Sequence, residues 1–77
     1  MERYRKELAQ LLPANEHLEI SLNQDAEVIQ ITTDNVMIHG DTAAHIYKYC
    51  DLNHLRCYIT WDYVKRQICL GILKDTY

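Results

Sequence analysis

The stretch from His17 to Gly40, HLEISLNQDAEVIQITTDNVMIHG, constrains the fold more than any other part of the chain. Side chains of an extended chain point to opposite faces in turn, so apolar residues two apart mark a half-buried sheet. Read with two tight turns, the stretch is a three-stranded antiparallel meander. Asp34-Asn35 accepts positive φ and suits a type I′ turn that pairs Thr33 with Val36 and Ile31 with Ile38. A two-residue turn at Gln24-Asp25 pairs Asn23 with Ala26, Ile20 with Ile29 and Leu18 with Ile31. One face then carries Leu18, Ile20, Leu22, Ile29, Ile31, Val36 and Ile38. The other carries His17, Glu19, Ser21, Val28, Gln30, Thr32, Met37 and His39, and is mostly polar.

The flanking segments supply helices. Tyr4, Leu8, Leu11 and Leu12 recur at i, i+4, i+7 and i+8, one apolar stripe over residues 2–12. Pro13 ends it, having no N–H and excluding the helical conformation from the residue before it. The opposite face, with Glu2, Arg5, Lys6 and Gln10, is solvated; Arg3, Arg5 and Lys6 are the groups there that an acidic partner would meet. Asp41 reads as an N-cap for a second helix from Thr42 to about Leu52. Ala43, Ile46, Tyr47 and Cys50 then lie on the sheet, Tyr49 is displaced and partly exposed, and Asn53 terminates the helix in a left-handed conformation.

Further on, Leu55, Cys57, Ile59 and Trp61 alternate with Arg56, Tyr58, Thr60 and Asp62, the pattern of a strand. Residues 64–73 admit a returning strand with Ile68, Leu70 and Ile72 on one face, or a helix with Trp61, Val64, Ile68 and Ile72 on one stripe. Gly71 costs a helix about 1 kcal/mol relative to alanine. The isoleucines sit comfortably in a strand, so a hairpin with a loop around Asp62 to Lys65 is expected. No internal repeat, linker or low-complexity segment is visible. The expected fold is α+β, in the order α-β-β-β-α-β-β, a small antiparallel sheet with two helices packed on one face.

Seventy-seven residues are the size of a single domain, 1–77, and 48% apolar content with two Gly and one Pro suits an ordered chain. A lone core of this size seldom yields more than about 3–5 kcal/mol, which favours support from a partner subunit. The net charge of −3 offers no broad positive field to a phosphate backbone. Three cysteines, Cys50, Cys57 and Cys69, are an odd count that fits a secreted disulfide framework poorly. The N-terminal MERYRKELAQLL lacks the apolar run of a secretory signal, and no window matches a membrane span. A cytoplasmic, non-membrane protein is expected.

Several clusters contain residue types that carry chemistry. His39, Asp41, His45, Cys50, His54 and Cys57 contain zinc-ligand types, with Cys50, His54 and Cys57 the closest set and His45 or Cys69 a fourth donor. There is no Cys-x-x-Cys knuckle, and cysteines on apolar stripes are ordinary packing. A thiol nucleophile at Cys50 or Cys57 with His54 as base would lack an oxyanion loop and a Gly-rich turn. Two glycines build no phosphate cradle. The order α-β-β-β-α over residues 2–52 is similar to that of modules that bind double-stranded RNA, but this chain opens its second helix Asp41-Thr42-Ala43-Ala44-His45 instead of with a basic segment. Arg56, Lys65 and Arg66 would form at most a small positive patch.

The aromatic residues point elsewhere. Six tyrosines and one tryptophan, without phenylalanine, combine large apolar area with polar tips, which suits contact surfaces. Tyr49, Tyr58, Trp61 and Tyr63 are the expected partner-binding residues. No catalytic residue, metal ligand or cofactor is assigned. The function expected is a small non-enzymatic protein-binding or regulatory module that self-associates as a homodimer, given its thin core and open strand edges. The element order is similar to that of the chaperones of bacterial type III secretion systems, a likeness that would imply binding proteins as dimers. The competing reading is a zinc-stabilised or nucleic-acid-binding small regulator using Cys50, His54 and Cys57, or the Arg56, Lys65 and Arg66 patch.

Overall fold

The computed structural model describes residues 1–13, 17–33 and 38–75. Helix α1, Glu2–Leu11, stops where proline dictates, since Leu12 before Pro13 is extended at φ −79° and ψ 129°. Strands β1, Leu18–Asn23, and β2, Val28–Thr33, form the first hairpin. Helix α2, Gly40–Leu52, leads into strands β3, Leu55–Asp62, and β4, Gln67–Lys74, the second hairpin. The four strands make one antiparallel sheet in the order β1-β2-β4-β3, with both helices against it. The α+β class holds, as does the returning strand at residues 67–74.

The face assignment survives although the register of the first hairpin does not. Asn23 faces Val28, Leu22 faces Ile29, Ile20 faces Ile31 and Leu18 faces Thr33, a shift of two residues from the expected pairing. Two is one side-chain period, so Leu18, Ile20, Leu22, Ile29 and Ile31 still share one side. The turn is longer than expected because Asn23 Oδ1 accepts a hydrogen bond from the Ala26 N–H at 3.2 Å and Glu27 closes the loop at φ 52°. The third strand of the expected meander falls partly on residues 34–37, outside the described residues. Ile38 and His39 belong to no strand, and the partner of Ile31 across β2 is Leu70, not Ile38. The likeness to RNA-binding and secretion-chaperone element orders needs that strand, and so rests on residues outside the described ones.

Leu8 of α1, Ile46 and Cys50 of α2, and Leu55, Ile29, Ile31, Leu70 and Ile72 of the sheet form the buried core. Helix α2 is rotated relative to expectation: Thr42, Ile46 and Cys50 are buried, Tyr49 packs on the core margin and Tyr47 is exposed. The cause is α1, whose Tyr4 meets Tyr49 edge-to-face at 6.4 Å and whose Glu7 Oε1 accepts the Tyr49 hydroxyl at 2.5 Å. The N-cap is His39, with Asp41 inside the first turn, where a carboxylate suits the helix dipole. Asn53 caps the other end through its side-chain amide, donated to the Tyr49 carbonyl at 2.9 Å, and the left-handed residue is His54.

The described chain is a structural repeat that the sequence conceals. Adding 39 to each residue number of the first hairpin gives the second: Asn23–Val28 becomes Asp62–Gln67, and Leu22–Ile29 becomes Trp61–Ile68. Ile31 and its counterpart Leu70 pair with each other, so a pseudo-two-fold axis passes between them at the β2–β4 seam. Each loop opens on an Asx side chain bonded to loop N–H groups, with Asp62 Oδ1 accepting from Val64 and Lys65 at 3.0 and 3.1 Å. Each loop closes on a left-handed residue, Glu27 at 52° and Arg66 at 53°. Outside that correspondence, since they are 37 rather than 39 residues apart, the two helix-to-strand corners share a His-Leu dipeptide, with His17 at 50° and His54 at 55°; histidine is among the residues that tolerate that conformation best.

Candidate protein-contact surface on the second hairpin

The helices cover the sheet unevenly. On β3, Leu55 is buried and Cys57 half-buried beneath α2, whereas Ile59 is 57% exposed and Trp61 39% exposed on that same helix-bearing side. The uncovered apolar strip continues into the loop, where Tyr63 is 84% and Val64 93% exposed. Tyr58 lies on the opposite face of the sheet, its ring across the backbone of Gly71, its cross-strand partner. A Cβ on Gly71 would lie 2.6 Å from that ring, so glycine is what lets the ring lie down.

Of the expected contact residues, Tyr58, Trp61 and Tyr63 thus share the second hairpin, on two faces and the tip. Tyr49 does not join them, because it is committed to Tyr4 and Glu7 between the helices. Burial, then the hydrogen bond to Glu7, pushes its hydroxyl pKa above the ordinary tyrosine range. Ile59 and Val64 were missing from the expected set. Val64 carried the clearer signal, as an apolar residue in a hairpin tip with no core within reach of it.

The other clusters do not assemble. Cys50 of α2 and Cys57 of β3 meet between helix and sheet; their hydrogen bond, then burial, pushes the Cys50 thiol up, while the same bond holds the Cys57 thiol down. His54 points outward at the corner, His45 lies on the outer side of α2, and Cys69 occupies the other face of the sheet. Among the described residues no three His, Cys, Asp or Glu side chains converge on a point that would hold a metal. Arg56 sits at the opposite end of β3 from Lys65 and Arg66, about 20 Å away along the strand, and pairs with Asp75 at 3.9 Å, so the expected basic patch does not form. On α1, Arg5 pairs with Glu2 and Arg3 lies 4.8 Å over the Tyr4 ring.

A shallow groove of about 180 Å³ runs between the helices, lined by Leu11, His45, Lys48, Tyr49 and Leu52. That is smaller than the roughly 300 Å³ at which small-molecule sites begin. Among the described residues no helix is long and apolar enough to cross a membrane. No protein-family model matches the chain, and neither a curated protein nor a solved structure matches it significantly.

Proposed function

We propose that this protein is a small binding and regulatory module that works through protein–protein contact, without catalysis, and that it does so in the cytoplasm. Its contact surface is the second hairpin. The observation that carries this reading is the concentration of uncovered apolar area: Tyr58, Ile59, Trp61, Tyr63 and Val64 are five of the eight large apolar side chains exposed among the described residues. Scattered exposed apolar residues are normal on a monomer, but Ile59 and Trp61 on one face of β3, continued by Tyr63 and Val64 at the tip, form a group that marks an interaction surface, with Tyr58 on the reverse face. Tryptophan and tyrosine are also the residues that most often anchor such surfaces.

The test is photo-crosslinking in the native host with a benzophenone side chain at Tyr63, and at Lys48 on α2 as a control. The expected result is a discrete protein adduct from position 63 and none from position 48. Equal, diffuse labelling from both positions, or none from either, overturns the assignment.

A further inference from the structure

Resting on that reading, we propose that the partner of the second hairpin is a second copy of this chain, joined by antiparallel pairing of β3 with β3 about a two-fold axis at Ile59. Strands β1 and β3 are the two outer edges of the sheet, each presenting a row of backbone groups that another strand can pair with. They are not equivalent. Leu18, Ile20 and Leu22 of β1 are half-buried by the helices, whereas Ile59 and Trp61 of β3 stand uncovered.

The charges of β3 select the register. Residues directly opposite in an antiparallel pair point to the same side, so a two-fold axis normal to the sheet must pass through a residue paired with itself. Centred on Ile59, the pairing places Arg56 of each copy opposite Asp62 of the other, giving two opposite-charge cross-strand pairs on the open face. Tyr58 then faces Thr60 on that side. On the helix-bearing side Ile59 meets Ile59, and Trp61 of each copy meets Cys57 of the other. Moving the axis to Tyr58 or Thr60 separates both charge pairs. On β1 the sole charged side chain is Glu19, so no register gives it an opposite charge.

The pairing extends a device the chain already uses. Its two halves are joined by β2 and β4, antiparallel, with Ile31 and Leu70 at a pseudo-two-fold centre. A β3–β3 seam repeats that arrangement between copies and yields an eight-stranded sheet with all four helices on one side. The tip residue Tyr63 of each copy comes opposite Leu55 of the other, beside the α2–β3 corner where Leu52 is exposed.

The register is tested by charge exchange. The wild-type chain is expected to give a dimer mass by light scattering, and Arg56→Asp and Asp62→Arg are each expected to be monomeric at the same concentration. Their equimolar mixture, with two acidic positions facing two basic ones, is expected to recover the dimer mass. Asp62 also caps its loop, so circular dichroism must show each variant folded. An independent probe avoids that residue: Ile59→Cys, with Cys57 and Cys69 changed to serine, places a thiol on the axis. Opposed residues there have Cα atoms about 4.5–5.5 Å apart, within disulfide range. Copper-phenanthroline is expected to link this variant quantitatively within minutes, and Tyr58→Cys in the same background at least tenfold more slowly. A wild-type chain that stays monomeric overturns self-pairing; if position 63 still yields an adduct of another mass, the hairpin surface stands with a different partner. A dimer that survives Arg56→Asp and resists linkage at 59 overturns the register.

Discussion

Replacing Gly71 with alanine should destabilise the protein only because Tyr58 is there. The added Cβ would sit 2.6–2.9 Å from Cζ, Cε2 and Oη of the Tyr58 ring, so the ring must lift from the strand. Tyr58 is 46% exposed, so about half of its area is covered. A tyrosine buries up to about 150–250 Å² in full, which makes the covered part about 100 Å², or roughly 2.5 kcal/mol at 25 cal/mol per Å². A lifted ring keeps some of that contact, leaving a loss of about 1–2 kcal/mol. Against it, alanine restricts the unfolded chain more than glycine and contributes about 0.4–1 kcal/mol, since Gly71 has no positive φ to protect. The net expectation is a loss of about 1 kcal/mol, read as a fall in the urea midpoint of roughly 1 M for a slope near 1 kcal/mol/M. In a Tyr58→Ala background the same substitution should be neutral or stabilising. Equal effects of Gly71→Ala in both backgrounds would refute the role given to the ring.

Three further outcomes follow from the packing. Leu8→Ala removes the fully buried side chain of α1 and should cost about 2–5 kcal/mol, leaving a chain this small largely unfolded by circular dichroism at 25 °C. Tyr49 has a folded-state pKa raised above its unfolded value near 10, so its contribution is complete below about pH 10 and is lost as pH climbs toward the folded value. Tyr49→Phe should therefore flatten the alkaline decline of the melting temperature, at a cost of about 0.5–1.5 kcal/mol at neutral pH from the lost bond to Glu7. Arg66→Gly should hold or raise the urea midpoint, because glycine adopts φ 53° without penalty, while Arg66→Val should lower it by about 1 kcal/mol or more.

What was legible in the residues was whatever depends on parity. Alternation placed Leu18, Ile20, Leu22, Ile29 and Ile31 on one side, and an error of two residues in the turn left that intact. The length of the turn is not legible, because it is set by an Asx hydrogen bond and a left-handed glutamate, and neither Asn23 nor Glu27 announces those roles. The third strand read at Val36 to Ile38 falls largely outside the described residues, and alternation does not say which neighbour completes the sheet beside β2. Here the neighbour is β4, some forty residues on. The same blindness to distant partners exchanged Tyr47 and Tyr49, since only the position of α1 decides which flank of α2 is covered. Of the contact surface, Tyr58, Trp61 and Tyr63 were recoverable from aromatic character, while Ile59 looked like core until the helices proved to stop short of it. The repeat left almost no trace in the residues beyond two Asx-led loops of four residues, Asn23 and Asp62 standing at equivalent positions.

The chain's single tryptophan lies on the proposed seam, which makes it the most direct witness to the β3 pairing. Acrylamide quenching and emission of Trp61 should be followed from about 1 µM to about 500 µM protein, a range that brackets ordinary dimer affinities. The expected result is a concentration-dependent blue shift with a falling quenching constant, abolished by Arg56→Asp. Emission and quenching that stay constant over the whole range, in a chain shown to be folded, would contradict the account.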